Sequence, residues 1–362
     1  MATHKKVRYA VIGAGWISQQ AFLPAVQQSG NSEVVAIVSG SPDKARQLAD
    51  FHGIADVCSY EDFDALAGSG DIDAVYIATP NSSHARFAVK AAQHRLHILV
   101  EKPLAVSLAE AESMQAAARE AGVHLATAYR LHNDPGMLKL IELVRGGAIG
   151  DPRFFSSHFG FQIAAGNHRL RKDHWGGPLQ DLGVYCLNAA RHVFGAEPIE
   201  IQAMSGSDAD DPRFAEVDAG ITATLRFEGG RMASFYAGFG TDPTDVIHVL
   251  GTKGSIDVQH AYLFDKPRTI VLRVGDTVER IEVPETDNFS GMIAWFSDCI
   301  LDGTPPAVDS GEGLEDMRAL LAIDEAAARG APVRLASRRP FTPLQASMQR
   351  SFPPARRRLV LP

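Results

Sequence analysis

Cysteine and positive charge are both scarce in this chain of 362 residues. The three cysteines, Cys58, Cys186 and Cys299, are odd in number and share no paired spacing, which argues against a disulfide framework and for reduced thiols. Lysine and arginine total 35 against 43 aspartates and glutamates, a net charge of -8 that argues against nonspecific nucleic-acid binding. No apolar run is long enough for a membrane span, and the few residues before the first strand do not form a secretory signal. A cytoplasmic protein with no membrane or nucleic-acid partner is therefore expected. Metal-ligand spacing is missing too: none of the 13 histidines sits in a recognised pattern, and His168 with His174 reads as part of a charged loop, so no metal is expected. The length is enough to fill two cores.

What is present begins with an apolar strand, Val7 to Ile12, running straight into Gly13-Ala14-Gly15-Trp16-Ile17-Ser18 and a helix through about Ser29. A second strand, Glu33 to Val38, completes a βαβ unit of the kind that binds a dinucleotide. Gly13 permits the tight turn, Gly15 lets backbone amides approach a pyrophosphate, and the helix that Trp16 and Ile17 open supplies partial positive charge. The usual third glycine is replaced by Ser18, still small enough for close helix packing. The acid that an NAD site offers at the end of the second strand is also absent, since the chain reads Val38-Ser39-Gly40-Ser41-Pro42-Asp43-Lys44. Ser39, Ser41 and Lys44 can instead donate to a 2′-phosphate, and Arg46 adds positive field. Asp43 is the competing acid, although its place after Pro42 suits the first turn of a helix. The balance favours NADP over NAD.

Two further segments stand out. In Leu99-Val100-Glu101-Lys102-Pro103 a short apolar run from His97, following the helical stretch Ser83 to His94, reads as a buried parallel strand, at whose carboxyl end ligands gather. Pro103 removes a backbone donor and forces a turn, which places Lys102 over that crevice; a plain surface lysine is the competing reading. In Trp175-Gly176-Gly177-Pro178-Leu179-Gln180-Asp181, a helix from Leu179 to Phe194 would put Asp181 and Tyr185 on one face, extended by Asn188 and His192. A solvated helix face is the plain alternative, yet the two glycines allow close backbone approach to something.

These segments together resemble the glucose-fructose oxidoreductase and inositol dehydrogenase family, and the glucose-fructose oxidoreductase branch most, over about Val7 to Val333. The match includes Thr79-Pro80-Asn81 with His84, Glu101-Lys102-Pro103, Tyr129-Arg130-Leu131-His132, and Gly177 through Tyr185. The branch is marked by Val38-Ser39-Gly40 with Lys44, and by Asp211-Pro212-Arg213-Phe214 with Glu216-Val217. The resemblance implies an α/β chain: an N-terminal Rossmann domain with a doubly wound parallel sheet (residues 1–128), a C-terminal α+β domain for substrate binding and oligomerisation, with a large, mostly antiparallel open-faced sheet (129–333), and a tail (334–362). It also implies that Thr79, Pro80, Asn81, His84, Glu101, Lys102, Arg130 and Arg169 join Gly13, Gly15, Trp16, Ile17, Ser39, Gly40, Ser41 and Lys44 around the cofactor. His168 stands where the resemblance leads one to expect tryptophan. The residues before the first strand are too few for the arm that helps the namesake enzyme trap its cofactor. The tail, with Arg356-Arg357-Arg358, matches no part of the family and reads as a solvated or partner-packed extension.

The pattern of elements agrees with two parts. Residues 7–127 alternate strands, Ala74 to Ala78 and Val123 to Ala126 among them, with helical stretches. After Tyr129 come a helix near Gly136 to Val144, a strand from Arg153 to Phe161, the Gly177 helix, a series of strands between Ile199 and Val283, and helices at about Phe289 to Leu301 and Gly311 to Ala328. Alternating Ile221, Ala223, Leu225 and Phe227 are expected on the exposed sheet face, covered by another subunit of a homodimer or homotetramer.

The chemistry expected of such a site is hydride transfer between a nicotinamide and a sugar carbon, which requires moving the proton of that carbon's hydroxyl. Tyrosine, with an unperturbed pKa near ~10, is a poor base at neutral pH unless a cation helps it. The assignment is Tyr185 as acid/base, Lys102 as its electrostatic partner and Asp181 as sugar anchor. The expected function is NADP-dependent oxidation of a cyclic aldose at C1 to a lactone, or the reverse. The alternatives are reduction of a keto-sugar or sugar-derived aldehyde, and a non-catalytic nucleotide or sugar sensor.

Overall fold

The computed structural model describes residues 6–336, 339–356 and 359–361; Arg357 and Arg358 of the basic run lie outside the described residues. The chain forms two compact units. One holds the residues up to Asp134 with Thr286–Gly313 and Gln345 onward, the other Pro135–Glu285 with Leu314–Leu344.

The first unit is wound as β1 (Val7–Ile12), α1 (Leu23–Ser29), β2 (Ser32–Val38), α2 (Pro42–His52), β3 (Asp56–Cys58), α3 (Phe63–Ala67), β4 (Ala74–Ile77), α4 (His84–Gln93), β5 (His97–Val100), α5 (Leu108–Ala121) and β6 (Leu125–Thr127). Its six strands lie in the order β3-β2-β1-β4-β5-β6, all parallel. Almost every side chain of β1, β4 and β5 is buried, as strands covered on both faces require. The order reverses between β1 and β4, which opens a crevice at their carboxyl ends. A π-helical turn, Ser18–Phe22, joins the glycine segment to α1. Ser107 caps α5 by accepting from the Glu110 amide, while Glu110 accepts from the Val106 amide.

The second unit comprises α6 (Pro135–Arg145), β7 (Pro152–Gln162), α7 (Val184–Phe194), β8 (Glu200–Gly206), β9 (Gly220–Arg226), β10 (Met232–Gly238), β11 (Gly240–Gly251), β12 (Gly254–Gln259), β13 (Arg268–Val274) and β14 (Thr277–Val283). Helix α8 (Asn288–Asp302) returns to the first unit, α9 (Ser310–Arg329) starts there and continues into the second, and β15 (Val333–Arg334) ends the sheet. The nine strands run β14-β13-β12-β11-β7-β10-β9-β8-β15, antiparallel except for β7 beside β10. Two meanders, β8-β9-β10 and β11-β12-β13-β14, thus flank β7.

One face of this sheet carries α7, where the Phe194 and Phe227 rings lie 4.9 Å apart. Here the sequence expectation is corrected. Ile221, Ala223, Leu225 and Phe227 are at most 4% exposed within the single chain, because they share rows with Ala237, Phe235 and Ala233 on the covered face. The open face instead presents the alternate residues Thr222, Thr224, Arg226, Ser234, Tyr236 and His158, with Met204 77% exposed.

The tail also differs from a solvated or partner-covered extension. Met348 is buried, the Phe352 carbonyl accepts from the Asp287 amide at 3.0 Å, and Arg350 pairs with Asp298 at 2.9 Å. The three cysteines are free thiols, as expected. Among the described residues no helix is long and apolar enough to cross a membrane.

Candidate active site

The glycine turn leaves β1 beside the end of β4. Gly13 sits at φ +105°, and a Cβ there would lie 2.5 Å from the Ala78 carbonyl oxygen, so only glycine lets the two strand exits come this close. The turn's carbonyls are tied back into the fold, Gly13 O by Ser18 Oγ at 2.6 Å and Ala14 O by Gln19 Nε2 at 2.8 Å. A trans peptide points its N–H opposite its C=O, so the Ala14 and Gly15 amides are aimed away from these side chains, as an anion site at a helix start needs. Ser18 therefore does more than replace a third glycine. Trp16 is exposed and Ile17 half-buried at the mouth of the turn.

At the end of β2, Ser39 is buried and its hydroxyl accepts from the Ser41 amide at 3.1 Å. Ser41 precedes α2, Pro42 occupies the first turn and Asp43 lies where the helix dipole favours an acid, while Ser41 is exposed and Lys44 half-buried. A Cβ on Gly40 would lie 3.1 Å from the Tyr60 ring, which therefore backs this turn. Tyr60 was not singled out from the sequence; it follows β3, a strand too short and too polar to show a period.

The exit of β4 carries Thr79, buried with a hydroxyl that has no hydrogen-bond partner, followed by Pro80 and by Asn81 in a 3-10 turn. His84 is fully buried, with its ring 3.0 Å from the Pro103 carbonyl and 3.1 Å from the Thr79 carbonyl. Burial pushes its pKa down to about 4, so a neutral imidazole lies between the exits of β4 and β5 and donates its one N–H to one of these two carbonyls. Glu101 accepts from the Tyr76 hydroxyl at 2.6 Å and from the Lys102 amide at 3.2 Å, and burial pushes its pKa up. Lys102 follows, half-buried, before a cis peptide to Pro103. The Arg130 guanidinium lies 5.7 Å over the Phe289 ring, and the Thr127 hydroxyl is buried without a partner.

Arg169, Asp181 and Tyr185 belong to the second unit, and the other catalytic and cofactor residues expected from the sequence to the first. Arg169 Nε meets Asp181 Oδ2 at 3.0 Å. The glycines make this possible: the Gly177 amide donates to the Arg169 carbonyl at 2.8 Å, and a side chain on Gly176 would strike the Arg169 and Arg171 carbonyls. Asp181 lies in a π-helical turn, Leu179–Gly183, that leads into α7, and Tyr185 opens α7 with its ring edge-on to Phe159 at 5.9 Å. The expected polar stripe stops there. Asn188 is buried and donates to Asp316 at 2.9 Å, and His192 packs 5.0 Å from the Phe341 ring, because α7 turns that side towards α9 and the following segment. Sequence reading also missed Asp324 on α9, which accepts from Gln180 Nε2 at 3.1 Å and from the Trp175 indole.

A turn with its carbonyls tied back at a switch point, hydroxyls and a lysine after β2, and the orphaned Thr79 hydroxyl at the β4 exit fit a nicotinamide dinucleotide; the class is that of a dinucleotide-dependent oxidoreductase. Residues 7–129 match the oxidoreductase family with an NAD-binding Rossmann fold and residues 137–257 the GFO/IDH/MocA C-terminal domain, and the chain belongs to this family. It is 31% identical to a D-xylose 1-dehydrogenase [NADP(+)] of Haloarcula marismortui over 92% of this chain and 94% of that one. The aldose-aldose oxidoreductase of Caulobacter crescentus, complexed with glycerol, is 34% identical with a TM-score of 0.87, covering 91% of this chain and all of the other. A 3-ketoreductase of Actinomadura kijaniata in complex with NADP and TDP-benzene is 28% identical with a TM-score of 0.83, over 89% and 98% of the two chains.

Proposed function

We propose that this enzyme uses NADP to oxidise a cyclic aldose at its anomeric carbon to a lactone, or runs the reverse reduction. The observation that carries the reading is the Arg169–Asp181 pair one helical turn before Tyr185, since it sets a carboxylate acceptor for sugar hydroxyls beside a phenol that can move a proton. The bound nicotinamide supplies the hydride acceptor or donor. Asp181 holds the ring through its hydroxyls, Tyr185 takes or returns the proton of the reacting oxygen, and Lys102 supplies positive charge to that oxygen. Ser39, Ser41 and Lys44 hold the 2′-phosphate, the turn from Gly13 the pyrophosphate, and Thr79 donates its unclaimed hydroxyl to the cofactor. His84 and Glu101 act through the segments they brace.

Tyr185→Phe keeps the ring and removes only the hydroxyl, so NADP binding is expected to survive while turnover falls by roughly 10² to 10⁴. Turnover within about threefold of the unaltered enzyme, with a deuterium effect showing chemistry to be rate-limiting, would remove Tyr185 from the mechanism. Keto-sugar reduction is the second reading, favoured by relatives such as the 1,5-anhydro-D-fructose reductase of Ensifer adhaerens, 30% identical over 89% of this chain. Product analysis separates the two, a lactone marking the first.

The open sheet face, with Met204, Met232 and Leu250 exposed, pairs with a second copy to give a dimer or tetramer, and the free thiols of Cys58, Cys186 and Cys299 suit the reducing cytoplasm. A monomer by light scattering at micromolar concentration would contradict the pairing.

A further inference from the structure

From Gln345 to Pro353 the chain lies along the rest of the first unit. Gln28 Nε2 donates to the Pro353 carbonyl at 2.9 Å, the Asp287 amide to the Phe352 carbonyl, and Arg350 holds Asp298. Further along the sequence, the backbone amide of Leu361 donates to Gln19 Oε1 at 2.6 Å, while Gln19 Nε2 lies 3.4 Å from the Leu361 carbonyl. Gln19 is 1% exposed, and the same Nε2 donates to Ala14 O in the pyrophosphate turn. One buried amide therefore bonds to both backbone groups of Leu361 and to the carbonyl of the turn.

We propose that Gln19 and Leu361 form a clasp that sets how long NADP(H) stays bound. The side-chain amide of Gln19 is planar, and two bonds to Leu361 fix that plane. Fixing it keeps Nε2 aimed at Ala14 O. A peptide cannot turn its carbonyl without turning the N–H behind it, so the hold on Ala14 O keeps the Gly15 amide aimed outward. Release of Leu361 frees the amide to rotate, and the Ala14 carbonyl then swings its negative end towards the pyrophosphate. The bound geometry is thus prepared before the dinucleotide arrives, and its loss is felt most in the rate of release.

The clasp rests on the dinucleotide lying at this turn, which NADPH binding by the unaltered protein checks separately. Leu361→Pro removes the single backbone donor; Gln19→Met keeps length and removes the amide. In full-length protein, stopped-flow displacement of NADPH by excess NADP is expected to show release about fivefold faster in each variant, the ratio that one hydrogen bond's net contribution gives. Circular dichroism of the cofactor-free proteins should be unchanged. Because both changes cut one link, the double variant is expected to release NADPH no faster than the faster single variant. A Leu361→Pro protein releasing NADPH within 1.5-fold of the unaltered rate, or a double variant whose effect is the product of the two, would overturn the clasp; if Gln19→Met does not fold, the Leu361→Pro rate alone decides.

Discussion

Asp324→Asn tests the anchor behind the helix that carries Asp181 and Tyr185. Asp324 accepts from Gln180 Nε2 and the Trp175 indole, so it ties α9 to the segment entering α7. Burial is the largest influence on its carboxyl group and pushes the pKa up from 3.8 to about 6, with Asp218 adding to the rise and the two hydrogen bonds opposing it. The folded protein therefore binds this proton more tightly than the unfolded chain. The contribution to stability is fully present below about pH 4 and is lost as the pH rises through about 6. A shift of two units corresponds to about 3 kcal/mol, and partial access of water reduces the expected value to about 1 to 3. Asparagine stays neutral throughout. The stability of the unaltered protein minus that of Asp324→Asn should thus fall by this amount between pH 4 and pH 7, measured by urea unfolding at each pH. A difference that stays flat or grows with pH would refute the reasoning.

Lys44→Ala should shrink the preference for NADP over NAD by about tenfold, read from the two dissociation constants, because one charge-assisted bond to the 2′-phosphate is worth roughly 1.5 to 3 kcal/mol. Asp316→Ala should cost about 3 to 5 kcal/mol in urea unfolding. The change strips one partner from Arg191, which is 1% exposed, and removes the Asp316 oxygen to which Asn188 donates, while Glu197 keeps its 2.6 and 2.7 Å bonds to the guanidinium.

The parallel sheet was legible because β1, β2, β4 and β5 are short, mostly apolar runs that alternate with helical stretches and stop at glycine, serine, threonine or charged residues, as strands covered on both faces do. Strand β3 was missed because Asp56–Cys58 is three residues long and gains its order from β2. Alternation told which residues of β9 share a face, but not which face α7 covers, so Ile221 and Leu225 were assigned outward. The same limit applies to α7, where Asp181, Tyr185, Asn188 and His192 have helical spacing and only the packing of α9 separates them. Tyr60, Asp324 and Gln19 were invisible for a different reason. Each acts on a partner made by folding, the Gly40 turn, the Trp175 segment or Leu361, and no local pattern encodes such a meeting.

The parallel neighbours in the larger sheet bear on how that sheet is made. The hairpins β9-β10, β11-β12 and β13-β14 can close through short loops as they are synthesised. Strand β7 emerges earlier than any of these, yet both its edges are satisfied only by β10 and β11, which are consecutive in the chain and lie on either side of it. Pairing of β7 is then the longest-range step in completing this sheet and is expected to limit refolding, and Phe155 and Phe159 are buried only once it is made. Newly made chains are most prone to aggregate in that interval, and substitutions on β7 should slow refolding more than equally destabilising ones on β13 or β14.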